Sequence, residues 1–126
     1  MTPPSILVID DNEDLREIIR TFCDVAGYAV RVASDGDAGL LEIEAFRPDV
    51  VLVDLLMPGR DGFSVLESLR TDYRHVRPGR VIAISALTDR VTVARLKALE
   101  VDAILPKPFS LSELRALLTE PVSSTE

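Results

Sequence analysis

The feature that most constrains this chain is a set of short apolar runs, Ile6–Ile9, Val50–Val53, Val81–Ile84 and Val101–Leu105. They are rich in β-branched residues, and the first three carry no polar interruption. A strand with one wet face alternates apolar and polar residues, whereas a strand covered on both faces reads as a continuous apolar run. These segments are therefore predicted as strands of a parallel sheet sandwiched between helices. A fifth segment, Ala29–Ala33, contains Arg31 and suits a sheet edge.

Between the strands the apolar spacing becomes helical. Leu15, Ile18, Ile19 and Phe22 form one stripe, with Asn12 as N-cap and Gly27 as stop. Leu40, Ile43 and Phe46 form a second, ending before Pro48. Phe63, Leu66 and Leu69 form a third. Val91, Ala94, Ala98 and Leu99 form a fourth, starting near Asp89. Leu111, Leu114, Leu117 and Leu118 form a fifth, capped by Ser110 or Ser112. Strands alternating with helices imply right-handed crossovers. Five such units fit a flavodoxin-like, doubly wound α/β sheet of order 2-1-3-4-5 flanked by five helices. The 126 residues suit one domain, predicted over residues 5–119, with loose ends at 1–4 and 120–126. Tyr73–Gly79 reads as a long basic loop.

Bulk properties exclude several roles. No apolar run approaches the roughly 20 residues that span a bilayer. No basic flank precedes Ile6–Ile9, so the start is not a signal peptide, and cytoplasmic residence is expected. A formal net charge of −7 argues against direct nucleic-acid binding, which needs clustered Lys and Arg. The lone Cys23 has no internal disulfide partner and is read as a buried small side chain.

Chemistry collects at the strand ends. The first strand runs into Asp10-Asp11, the third into Asp54, the fourth into Ser85, and the fifth into Pro106-Lys107-Pro108. In a sheet of this order the switch point lies between strands one and three, and ligands bind outside the carboxyl ends there. Asp10, Asp11 and Asp54 are thus expected together, with Ser85 and Lys107 on the neighbouring strands. Two unit charges about 5 Å apart at an effective dielectric near 20 repel by roughly 3 kcal/mol. Protons or a cation must relieve such crowding. Hard oxygen ligands favour Mg²⁺. A carboxylate beside Mg²⁺ is a competent nucleophile toward phosphorus, with Lys107 and Ser85 ready to bind the transferred oxygens. Each residue alone has an ordinary reading: Asp10-Asp11 as a helix cap, Asp54 as turn chemistry before Pro58-Gly59, Lys107 as a surface lysine. The joint placement at four strand ends carries the argument. His75, the only histidine, sits in the basic loop and is expected to be exposed and metal-free.

These residues make the chain resemble the receiver domains of bacterial response regulators, the family of the chemotaxis regulator. The resemblance runs roughly from Ser5 to Leu118. It rests on Ile6–Asn12 (strand and acid pair), Val51–Gly62 (phosphoacceptor segment), Val81–Ala86 (hydroxyl-bearing strand) and Leu105–Phe109 (lysine segment). It implies phosphorylation of Asp54 by a sensor histidine kinase or histidine phosphotransfer protein, with a downstream effector and room for a weak homodimer. It implies Mg²⁺ held by Asp11, Asp54 and the Leu56 backbone carbonyl, with Asp10 acting largely through water. It also implies a cis Lys107-Pro108 bond. Ile104 stands where the family often has Tyr or Phe, so a switch through an aromatic ring is not expected. Leu56 and Leu87 flank the line along which water would attack the phosphorylated residue, and by resemblance would shield it. Partner docking is expected at the start of the first helix and after the fifth strand, around Leu15, Ile18, Pro108 and Phe109, with Ile18 read as core. The competing enzyme reading is an aspartate-nucleophile phosphatase, but those hydrolases usually carry Asp-x-Asp after the first strand. A flavin module would want a Ser/Thr-rich phosphate loop in place of Asp10-Asp11.

Overall fold

The computed structural model describes residues 3–119. In chain order it contains β1 (Ser5–Ile9), α1 (Glu13–Val25), β2 (Ala29–Ala33), α2 (Gly36–Phe46), β3 (Val50–Asp54) and α3 (Gly62–Arg70). A 3₁₀ turn (Arg74–Val76), β4 (Arg80–Ser85), α4 (Arg90–Ala98), β5 (Ala103–Pro106) and α5 (Leu111–Thr119) follow. The strands form one parallel sheet of order β2-β1-β3-β4-β5, so the flavodoxin-like topology read from the sequence is the one observed. Most of the segment expected to be loose at the ends, residues 1–2 and 120–126, lies outside the described residues.

The uninterrupted apolar runs have the cause assigned to them. Successive strand residues point to opposite faces. Leu7, Ile9, Val51, Val53, Val81 and Ala83 face one way and pack with Leu40, Ile43, Leu66, Leu69 and Leu96 of α2, α3 and α4. Ile6, Val8, Val50, Leu52, Ile82 and Ile84 face the other way and pack with Ile19, Cys23 and Leu114 of α1 and α5. Each face of the central strands has a core of its own. Cys23 is fully buried, and burial pushes its thiol up to about 11.

Side-chain caps set where the helices begin. Asn12 accepts from the Leu15 amide at 3.0 Å, and Asp89 from the Thr92 amide at 3.2 Å. Ser110 and Glu113 form a reciprocal capping box, so Ser110 rather than Ser112 caps α5. Gly27, at φ 98°, ends the turn after α1 as expected.

Three expectations are corrected. The inward stripe of α4 runs through Thr92, Leu96 and Leu99, while Val91 is 77% exposed. Thr92 is tolerated inside because its hydroxyl donates to Asp89 at 2.7 Å, which leaves no orphaned polar group. Ile18 is 52% exposed and is not core. β5 starts at Ala103, two residues later than read. Glu100 adopts a left-handed backbone (φ 65°) and the Val101 amide still bonds to the Leu96 carbonyl, so the chain is only leaving α4 there. The basic loop Tyr73–Gly79 is partly ordered by the 3₁₀ turn, which buries Val76. His75 is exposed beside Glu44, at 3.4 Å.

Candidate functional site

The sheet delivers the predicted side chains to one edge. Asp10 follows β1 and its amide still bonds to the Ala33 carbonyl of β2, at 3.1 Å. Asp54 is the last residue of β3 and Ser85 the last of β4. Lys107 follows β5, with its amide on the Ser85 carbonyl at 2.8 Å. The Lys107-Pro108 bond is cis. Asp10, Asp54 and Ser85 are buried, and Asp11 is exposed.

One oxygen from each of Asp10, Asp11 and Asp54 can be chosen so that all three lie within 4.8 Å of one another. Lys107 Nζ stands 3.5 Å from both Asp10 Oδ2 and Asp54 Oδ1. One ammonium among three carboxylates leaves the pocket negative. Burial, and next the charge of Asp10, raise the Asp54 carboxyl to about 6, against the opposing pull of Lys107 and of the Leu56 amide. Asp10 Oδ1 accepts from the Asn12 amide at 2.9 Å. Asp10 Oδ2 is buried without a hydrogen-bond partner, an unusual arrangement for a carboxylate oxygen. Crowded, oxygen-only donors, two of them buried and one with an oxygen free of hydrogen bonds, fit a hard divalent cation. His75 is not part of this cluster.

Two features were not legible in the sequence. The Ser85 hydroxyl is turned to its own loop: it donates to the Leu87 carbonyl at 2.6 Å and accepts from the Leu87 amide at 2.8 Å. Arg16, on the first turns of α1, donates from Nη1 to the Asp10 carbonyl at 2.8 Å. An arginine inside a helical pattern reads as solvated surface, and no spacing rule would single it out.

Gly62 holds the floor of the pocket. A Cβ there would collide with the Asp54 carbonyl oxygen, so α3 can approach the end of β3 only through a glycine. Leu56 and Leu87, the residues expected to shield the pocket, are 55% and 39% exposed. Ile104 is partly buried against the α2–α4 core.

Comparisons with known proteins agree with this geometry. A family model described as the response regulator receiver domain matches residues 6–119. The response regulator MprA of Mycolicibacterium vanbaalenii is 40% identical over 117 residues, covering 90% of this chain and 48% of that protein. This chain thus spans about half the length of the curated relatives it matches. Among solved structures, the receiver domain of the Francisella response regulator 1452 is 35% identical with a TM-score of 0.80, covering 91% of this chain and 94% of that one. The chemotaxis protein CheY4 of Vibrio cholerae is 26% identical with a TM-score of 0.85, covering 92% and 96%. Neither the family model nor these relatives supports the phosphatase reading. No described helix is long and apolar enough to cross a membrane. With fold, acid pocket and family model in agreement, the chain belongs to the response regulator receiver domains of two-component signal transduction.

Proposed function

We propose that the unit formed by residues 5–119 takes a phosphoryl group onto Asp54 in a Mg²⁺-dependent reaction and signals by the resulting change at its β4–α4 loop. The observation that carries this reading is the convergence of Asp10, Asp11 and Asp54 within 4.8 Å, with Lys107 Nζ 3.5 Å from two of them. Asp11, Asp54 and the Leu56 carbonyl would hold Mg²⁺, with Asp10 acting through water. The ion, when bound, offsets charge on the phosphoryl oxygens.

The transfer is a displacement at phosphorus. An Asp54 carboxylate oxygen forms the new O–P bond while the P–N bond of a donor phosphohistidine breaks, and the imidazole leaves with a proton. Lys107 gives up part of its ion pair with Asp54 to meet the incoming phosphoryl oxygens. The Ser85 hydroxyl exchanges the Leu87 carbonyl for one of those oxygens. Apart from its own phosphorylation and autodephosphorylation, the unit turns nothing over.

The donor is a sensor histidine kinase or a histidine phosphotransfer protein, and the setting is cytoplasmic. An apolar groove of about 500 Å³ along α1, lined by Ile18, Thr21, Phe22, Val25 and Leu111, supports docking of that donor on the first helix. A downstream effector, or a second copy held weakly, would read the switched surface. Incubation with acetyl phosphate and Mg²⁺ tests the core of the reading. Mass spectrometry should find one added phosphoryl group on the native chain and none on Asp54→Asn; equal labelling of the two would overturn the assignment.

A further inference from the structure

Asp11 contributes an oxygen to the acid cluster, yet no hydrogen bond holds its carboxylate among the described residues. Its aim therefore depends on the backbone that carries it and on its own rotamer. Beyond Asp10 that backbone has left the sheet, and α1 begins only at Glu13. The Asp10 carbonyl and the Asp11 amide belong to one planar peptide unit, so fixing the carbonyl oxygen fixes the plane from which Asp11 departs. Arg16 Nη1 holds that oxygen at 2.8 Å.

The position of Arg16 is electrostatically awkward. The first turn of α1 carries Glu13 and Asp14, the charges a helix N-terminus favours, whereas a cation in that region opposes the helix dipole. A cation close to the pocket also repels a divalent ion. Both effects would favour a neutral residue here. What Arg16 supplies in return is reach: helical side chains lean toward the N-terminus, and a guanidinium there extends back to the end of β1. The Asn12 side chain is already occupied as the cap, and the Asn12 amide is on Asp10 Oδ1. Arg16 thus ties the Asp10–Asp11 peptide from outside the acid cluster.

From these contacts we infer that Arg16 is a positioning residue for metal binding: its guanidinium straps the first turns of α1 to the Asp10 carbonyl and so aims Asp11 at the cation. The inference rests on the proposed metal site and deepens it. Two physical effects predict opposite signs, which makes the test decisive. If the strap governs, removing Arg16 weakens Mg²⁺ binding; if its charge governs, removing Arg16 tightens it.

The experiment is calorimetric titration of Mg²⁺ into the full chain for wild type, Arg16→Ala, Arg16→Gln, Arg16→Lys and Asp11→Ala, with folding checked by circular dichroism. Loss of an outer tie to a ligand typically costs 10–100-fold in metal affinity, and about tenfold weakening is expected for Arg16→Ala. Arg16→Lys, which keeps the charge but not the planar fork, should be weakened as well. Phosphorylation by acetyl phosphate should return to near the wild-type rate in Arg16→Ala once Mg²⁺ is saturating, a split that a general loss of stability would not produce. If Arg16→Ala does not fold, Arg16→Gln and Arg16→Lys decide by the same readout. Unchanged or tighter Mg²⁺ binding in the folded Arg16 variants, with Asp11→Ala defective, overturns the strap alone. Unchanged binding in Asp11→Ala overturns the metal site beneath it.

Discussion

The two loops that wall the pocket are built in contrasting ways. On the β1–α1 side the ties converge on the pocket's own buried residue: Asp10 receives the Asn12 amide on its carboxylate and the Arg16 guanidinium on its carbonyl. On the β4–α4 side residues 86–91 are all exposed, and the pocket residue spends its side chain on the loop, Ser85 to Leu87. The first wall is braced by ties from its own loop and from α1. The second must give up the bond to the Leu87 carbonyl for its hydroxyl to donate to a ligand. On the proposed reading, one pocket thereby combines a braced jaw with a jaw whose engagement would draw the Ser85 hydroxyl away from the segment leading to α4.

The largest expected effect concerns the charge between the jaws. Asp54 is raised from its ordinary value to about 6, so its ionised form is disfavoured in the folded, metal-free protein. Stability from this group is therefore highest at acidic pH and is lost as pH rises between about 4 and about 6. The linkage amounts to at most about 3 kcal/mol above that range. Urea unfolding without metal should find Asp54→Asn more stable than wild type at pH 7, by up to that amount, and equal to it at pH 4. Saturating Mg²⁺ should abolish the gap at pH 7 by stabilising only the wild type. A gap that persists across pH would mean that Asp54 is not strained by charge.

Next in size is the braced jaw itself. Asp11→Ala should lower Mg²⁺ affinity by about 100-fold, whereas Glu13→Ala, on a residue outside the cluster, should change it less than about twofold. Equal losses in calorimetric titration would show that general negative charge, and not a placed ligand, attracts the ion.

Smaller again is the effect on lifetime. Leu56 and Leu87 offer a water no hydrogen bond. Leu56→Asn and Leu87→Glu should each hasten loss of the phosphoryl group, and together by roughly tenfold, because a polar side chain can orient the attacking water. Their exposure of 55% and 39% admits the opposite result, in which both side chains serve only as partner surface. Decay in wild type as fast as in the double variant would select it.

The smallest expected effect is structural. A phosphoryl mimic should shift amide resonances of residues 87–96 in wild type, and by about half as much or less in Ser85→Ala, which has no hydroxyl to transfer. Full response of α4 in the alanine variant would separate the movable jaw from the switch.

The sheet and the acid cluster were legible because both follow from where apolar runs stop. Strands buried on two faces leave little choice of register, and Asp54 and Ser85 terminate β3 and β4 as read. What escaped is what depends on side-chain reach. Periodicity assigned Val91 to the inside of α4 and left Thr92 out, since it does not register that Asp89 satisfies the threonine hydroxyl. It counted Ile18 as core, although α1 is covered by the sheet on one side only. It passed over Arg16, whose partner is a main-chain oxygen that any sequence would supply.

The close approach of Gly62 has a mechanical consequence. With its Cα tight against the Asp54 carbonyl and its amide bonded to the Leu55 carbonyl at 2.9 Å, the start of α3 forms a backstop behind Asp54. On the proposed reading, a phosphoryl group on Asp54 would bring volume and charge to a side chain whose main chain is backed by Gly62. The displacement would then run sideways. Toward β1 it meets the Asp10 braces, and toward β4 it meets a loop held at the pocket by one hydroxyl. On that reading, a rigid anvil at one glycine would give the molecule a direction of travel.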